Sequence, residues 1–170
     1  APIAQNDSYE LAEDGELSVD AAEGVMKNDF DLESTPVTDL TVNLILDASR
    51  GELTLNADGS FVYVPDANFF GTDGFLYTIT DGAETSNSAT VTLTVDGSND
   101  APVADDDTYY VDEDNVLTSD KSVLDNDGDA DGDELTAEIN SMPTNGTITM
   151  TDDGHFTYTP DANYYGTDTF

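Results

Sequence analysis

Apolar and polar residues alternate with a period of two along most of this chain. Leu40, Val42, Leu44 and Leu46 fall on one face of an extended segment. Phe75, Tyr77 and Ile79 share another face, as do Val91, Leu93 and Val95, with Thr90, Thr92 and Thr94 turned outward. Leu53 and Leu55, then Phe61 and Tyr63, flank Asp58-Gly59, a dipeptide suited to a tight hairpin turn. Shorter and more polar strands are predicted over Tyr9–Glu13 and Leu17–Asp20, with a further one over Val25–Asn28. No segment sustains a helical period, and turn residues recur about every 8–12 positions, as in a β-sandwich. The pattern predicts an all-β chain with roughly seven short strands in its first part.

The same pattern then recurs. Tyr9, Glu13, Asp14 and Leu17 match Tyr109, Glu113, Asp114 and Leu117, 100 positions later. Pro65–Phe75 (PDANFFGTDGF) matches Pro160–Phe170 (PDANYYGTDTF), 95 positions later. Internal repetition of this length marks tandem domains. In the second copy, strands are predicted around Leu135, Ala137 and Ile139, then Ile148 and Met150, then Phe156 and Tyr158. The sequence stops at Phe170 as the sixth strand begins, so counterparts of Phe75–Ile79 and Thr90–Val95 are expected either beyond this sequence or from another chain, by strand addition. The domain reading is a complete repeat over 1–97, a linker over 98–104 and a partial repeat over 105–170.

Charge changes the picture. Thirty-eight acids face three bases (Lys27, Arg50 and Lys121), for a formal net charge of −35. Two carboxylates ~4 Å apart repel by about 1 kcal/mol in water-like surroundings and about 4 kcal/mol near a protein surface. Low hydrophobicity with high net charge ordinarily favours disorder, yet eight Tyr and seven Phe sit in register with the apolar alternation. A β-rich chain whose acids are neutralised by bound cations reconciles the two. The charge excludes nucleic acid, which needs a basic footprint, and disfavours anionic membranes. No apolar run is long enough for a membrane-spanning helix, so no membrane insertion is expected. The N-terminus shows no leader, and any secretion signal is expected outside this sequence. There is no cysteine, hence no disulfide and no thiolate metal site.

The acids are concentrated where hard cations could bind. Asp96–Asp107 carries Asp96, Asp100, Asp105, Asp106 and Asp107 between the two copies, with Asn99 as a neutral oxygen donor. Asp125–Glu134 (DNDGDADGDE) holds six acids in ten residues, and alternate acids in a tight Gly-containing loop can supply the six to eight oxygens that Ca²⁺ prefers. Asp127, Asp129, Asp131 and Gly132, with Glu138 beyond, satisfy the EF-hand loop pattern literally, but the flanks are strand-like, which excludes a helix–loop–helix. Repeat one keeps only Asn28, Asp29, Asp31 and Glu33 there, diluted by Phe30 and Leu32, so its loop is expected to bind weakly or not at all. If the strands alternate as in an immunoglobulin-like sandwich, the Glu13-Asp14 turn, the Pro65–Asp73 corner and the exit to Asp96 converge at one end. The calcium ligands expected on these grounds are Glu13, Asp14, Asp66, Asp73, Asp96, Asn99, Asp100, Asp105, Asp127, Asp129, Asp131 and Asp133. Phe69, Phe70, Tyr164 and Tyr165 could form a sugar-stacking platform, but in an NFFG/NYYG corner they are expected instead to plug sandwich ends. His155, the sole His, is expected on a strand surface rather than as a catalytic base, and no enzymatic constellation stands out.

Ser98–Pro102 (SNDAP), preceded by Asp96, resembles the acidic linker of cadherins. The wider set (an ED pair, LDNDGDADGDEL, NGTIT, DGHFTYTP and NYYGTDTF) resembles the bacterial cadherin-like and immunoglobulin-like tandem repeats, VCBS-type or tandem-95, of large secreted RTX-type adhesins. The resemblance implies Greek-key sandwiches on a bacterial cell surface or in the extracellular medium. It also implies a calcium-stiffened junction between neighbouring repeats, serving adhesion or biofilm formation. Binding to polysaccharide, or to a second copy, is the alternative role.

Overall fold

The computed structural model describes residues 1–31 and 40–170; Leu32 and Glu33 of the first acidic loop lie outside them. The chain is all-β and divides into two compact units, Ala1–Ser98 and Asn99–Phe170.

Unit 1 is a β-sandwich. Its larger sheet has the order β2 (Asp7–Ala12), β9 (Ala89–Asp96), β8 (Gly71–Thr80), β5 (Thr41–Leu46). Its smaller sheet runs β3 (Leu17–Val19), β7 (Phe61–Pro65), β6 (Gly51–Leu55), and a short pair joins β1 (Pro2–Ile3) to β4 (Phe30–Asp31). The chain leaves the larger sheet after β5, makes the β6–β7 hairpin in the smaller one and returns at β8. β2 lies parallel to β9, and the other pairings are antiparallel. The period-two residues fill the space between the sheets. Phe61, Tyr63, Phe75, Tyr77, Ile79, Val91, Leu93 and Val95 are buried. Edge-to-face contacts run from Tyr9 to Phe61 and from Phe61 to Phe75. Asp58-Gly59 closes the β6–β7 hairpin with Gly59 at φ +84°, a conformation open to glycine.

Two strand predictions for unit 1 need correction. Val25–Asn28 is a turn, not a strand, although Val25 is fully buried. Its N–H donates to Gly59 O (3.0 Å), so the apolar residue is anchored by a hairpin tip rather than by a ladder. On β5 only Val42 is buried; Leu44 stands opposite Tyr77 on the same face as Val42 yet is 41% exposed, and Leu46, past a register shift, is 59% exposed. A register shift between Leu44 and Leu46 breaks the alternation at this edge strand.

Unit 2 contains the counterpart of the smaller sheet: β10 (Leu117–Thr118), β12 (Phe156–Pro160) and β11 (Gly146–Met150), in that order. Ile148, Phe156 and Tyr158 form its core, with Tyr109 edge-on to Phe156 at 4.8 Å, as Tyr9 meets Phe61 in unit 1. The strand predicted over Leu135–Ile139 is absent. Ala137 N–H still donates to Asp152 O (2.9 Å), as Val42 N–H does to Ala57 O (3.0 Å). β5 owes its strand character to pairing with β8, whereas Leu135–Ile139 pairs with no strand among the described residues.

Candidate metal centre

Within unit 1, the turn after β2, the turn after β7 and the end of β9 come together. Glu13 N–H donates to Asp96 O (2.9 Å). Glu13 Oε1 accepts from the Ser98 hydroxyl (2.7 Å) and from Ser98 N–H. Only 7% of Glu13 is exposed, and its other oxygen, Oε2, is buried with no hydrogen-bond partner. An unmatched buried carboxylate oxygen is unfavourable unless a cation or proton meets it. Asp14, at φ +54°, accepts from Asn68 N–H (3.0 Å), and Asn68 is itself at φ +57°. Asp114 and Asn163 repeat that pair in unit 2, at φ +61° and +60° and 2.8 Å apart. Asp and Asn tolerate this left-handed region better than most residues, so both turns are held by matching side chains. Asp66 is exposed, its N–H donating to Arg50 O (2.8 Å) and its carbonyl receiving Phe69 N–H (3.0 Å). Asp96 presents an exposed side chain at the end of β9.

Asp73 is engaged elsewhere. Its carboxylate accepts from Ser49 N–H (3.1 Å), Arg50 N–H (2.8 Å), the Ser49 hydroxyl (3.1 Å) and the buried Tyr63 hydroxyl (2.9 Å). Burial alone would push this carboxyl up; the donors together outweigh it and hold it below the usual carboxylate range. Asp168 and Tyr158 rebuild the same clamp in unit 2, with Thr144 and Asn145 as N–H donors.

Within unit 2, the acidic loop and the segment before it share a cavity of about 340 Å³. Asn99, Asp100, Asp127, Asp129, Asp133 and Glu134 line it, with Val103, Leu124 and Leu135 on its apolar side. Val103 bridges to Gly128 and holds the two segments together. Asp100 N–H donates to Asp131 Oδ2 (2.6 Å) and Asp105 N–H to Asp127 Oδ1 (2.9 Å). Asp129 Oδ1 receives the N–H groups of Asp131 (2.9 Å) and Asp133 (3.2 Å), while Gly132 at φ +77° turns the loop. Burial raises the Asp107 carboxyl, and the charges of Asp127, Asp125 and Asp106 raise it further. Among the described residues, no group of three or more acidic or imidazole side chains converges into a ready metal cage. The loop carboxylates accept backbone N–H groups instead. All the donors present are oxygens, which suits Ca²⁺ and not softer metals.

The sequence reading did not anticipate Ser98 on Glu13, Glu134 in the cavity, or Asp107 and Asp125 beside Asp127. Nor did it anticipate the Tyr–Asp clamps, although Tyr63 and Asp73 recur as Tyr158 and Asp168 at one constant offset. The aromatic plugs are corrected in part. Phe69 packs on the core beneath Arg50, but Phe70 is 52% and Tyr165 87% exposed.

An all-β chain whose sandwich pattern and turn-end acids recur along the sequence defines a tandem β-sandwich repeat. The chain belongs to the bacterial cadherin-like domain family, whose sequence model matches residues 1–97 and again 99–170. Solved structures similar to it include the protocadherin GammaB4 extracellular domain (14% identity, TM-score 0.52, covering 95% of this chain and 29% of that one). A protocadherin gammaB7 cis-dimer structure matches at 12% identity and TM-score 0.46, covering 95% and 39%. An endo-fucoidan hydrolase of glycoside hydrolase family 107 matches at 20% identity and TM-score 0.40, covering 95% and 24%. This chain thus spans well under half of each matched chain, and at these identities the likeness shows fold alone. No curated protein matches. Family membership suggests an extracellular, adhesion-type module. Among the described residues, no helix is long and apolar enough to cross a membrane.

Proposed function

We propose that this chain is a non-catalytic, calcium-binding pair of repeats from a bacterial surface or secreted adhesin. Calcium stiffens the acidic segment joining the repeats. The observation that carries the reading is the buried, unpartnered Oε2 of Glu13 beside the Asp96–Ser98 exit. In unit 1, Glu13 and Asp96 would hold an ion, with Asp14 and Asp66 on the neighbouring turns. In unit 2, Asn99, Asp100, Asp105, Asp127, Asp129, Asp131 and Asp133 would supply the oxygens. A bound cation contributes positive charge where carboxylates otherwise repel. Extracellular modules bind Ca²⁺ with Kd of about 10⁻⁴–10⁻³ M, and at tenfold saturation each independent site adds about 1.4 kcal/mol.

Calorimetric titration, with melting in 5 mM Ca²⁺ against excess chelator (~5 mM as a working figure), tests this. Ion uptake at sub-millimolar to millimolar Ca²⁺ and a Tm raised by several degrees are expected. E13Q should weaken one class of sites. Unchanged melting and no heat of binding would overturn the proposal. A second reading, polysaccharide binding, is favoured by Phe70 and Tyr165, which are exposed at equivalent positions of the two repeats and present faces that sugars stack on. Loss of glycan-array binding in F70A/Y165A would support it.

A further inference from the structure

The Tyr77 hydroxyl, fully buried in unit 1, is surrounded by acceptors. Val25 O lies at 2.8 Å, Gln5 O at 2.9 Å, Asp7 Oδ2 at 3.0 Å, and Asp29 Oδ2 and Oδ1 at 3.1 and 3.2 Å. One hydroxyl hydrogen can serve one of them, while its oxygen can accept from others. Backbone carbonyls carry no hydrogen to offer. Any second proton in this cluster must therefore come from Asp7 or Asp29. Gln5 N–H reaches Asp29 Oδ1 (2.7 Å) and the Asn28 side chain reaches Asp7, so each carboxyl has one donor besides the Tyr77 hydroxyl they share.

We propose that Asp7 and Asp29 share one proton through the Tyr77 hydroxyl, so that unit 1 is a pH-responsive module that tightens as the medium turns mildly acidic. In the protonated state Asp7 donates to Tyr77 Oη, and Tyr77 donates onward to a backbone carbonyl or to Asp29. In the doubly ionised state two carboxylates face one hydroxyl inside the sandwich. Burial, with the Asp29 charge adding to it, pushes the Asp7 carboxyl up to about 6, and burial also raises Asp29. Among the described residues, no base forms an ion pair with Asp7 or Asp29. β2 brings Asp7 and Tyr9, β8 brings Tyr77, and the 20–29 turn brings Glu23, Asn28 and Asp29. Lys27, the base of that turn, is engaged by Glu23. β9 pairs with β2 through Val91–Asp96 and sets Val91 opposite Asp7.

The folded pKa lies above the unfolded one, so the proton binds the folded state more tightly. The stabilisation is full below about pH 4 and is lost as pH rises through about 6. The test uses the full chain in chelator, comparing wild type with D7N by thermal melting from pH 4.5 to 8 (a range of roughly two units either side of that value). The relief of general repulsion on acidification is common to both. Wild type is expected to gain several degrees more than D7N between pH 7.5 and 5, and D7N to melt at or above wild type near neutrality. Carboxyl ¹³C titration of wild type should place Asp7 well above an exposed aspartate. Parallel pH profiles for the two chains, or an Asp7 carboxyl titrating near 4, would overturn the proposal.

Discussion

At the scale of single residues, carboxylates with the same side chain act in opposite senses according to what faces them. Asp73 meets four donors and is held below its ordinary range; Asp7 is held above it by burial, with the Asp29 charge adding to it, against fewer donors, Tyr77 and Asn28. The stability contributed by Asp73 is present above the unfolded aspartate pKa and lost as pH falls through its lowered value. Removing its side chain takes the acceptor from the part-buried Ser49 and Arg50 N–H groups and leaves the Tyr63 hydroxyl only Arg50 O (3.1 Å). D73A is therefore expected to destabilise unit 1 by about 3 kcal/mol, read as a lowered urea midpoint. A double-mutant cycle with Y63F should show coupling of about 1 kcal/mol. Additive effects of the two substitutions would mean that the Tyr63–Asp73 bond carries no stability of its own.

At the scale of elements, the strands that the period-two pattern revealed are those with a partner on both sides or a face in the core. β7, β8 and β9 were legible because Phe61, Tyr63, Phe75, Tyr77, Ile79, Val91, Leu93 and Val95 alternate without interruption. Val25 was misread because its burial comes from a hairpin tip that packs on it from the side, which leaves no trace in local periodicity. Leu46 was misread because a bulge at an edge strand shifts register without any sequence mark, and Leu44, though in register opposite Tyr77, lies on an edge strand that leaves it partly exposed. Leu135–Ile139 carries a strand pattern but no pairing, since strand character depends on a neighbour as well as on residue type. Candidate ligands were legible as dense acids, whereas their partners were not; Ser98 on Glu13 depends on how β2 and β9 end. Gly51 and Gly146 open equivalent strands, and at each an added Cβ would meet a tyrosine ring, of Tyr63 at 2.8 Å or Tyr158 at 2.6 Å, and nearby backbone. G51A and G146A are each expected to destabilise their own unit by about 1–3 kcal/mol, seen in thermal melts. An unchanged melt for either would mean that the facing backbone, Val64 O beside the added Cβ of Gly51 or Thr159 O beside that of Gly146, shifts along with the tyrosine without loss.

At the scale of the whole molecule, a formal charge of −35 on 170 residues adds a self-repulsion that opposes the compact state on top of the chain entropy lost on folding. The described ion pairs do little against it, since they engage single bases at the surface, as Lys27 does with Glu23. The opposing charge must come from solution, either as a diffuse ionic atmosphere or as ions bound at fixed places. These two sources respond differently to salt. A diffuse atmosphere tightens as ionic strength rises, with the Debye length falling from about 30 Å at 0.01 M to about 10 Å at 0.1 M. In chelator, therefore, Tm is expected to climb steeply with added NaCl. In millimolar Ca²⁺ the same salt series should be much flatter, because bound ions already neutralise the closest carboxylates and added salt competes with their binding. Equal slopes with and without Ca²⁺ would show that repulsion in this chain is relieved by the ionic atmosphere alone, and that the acid clusters hold no ion.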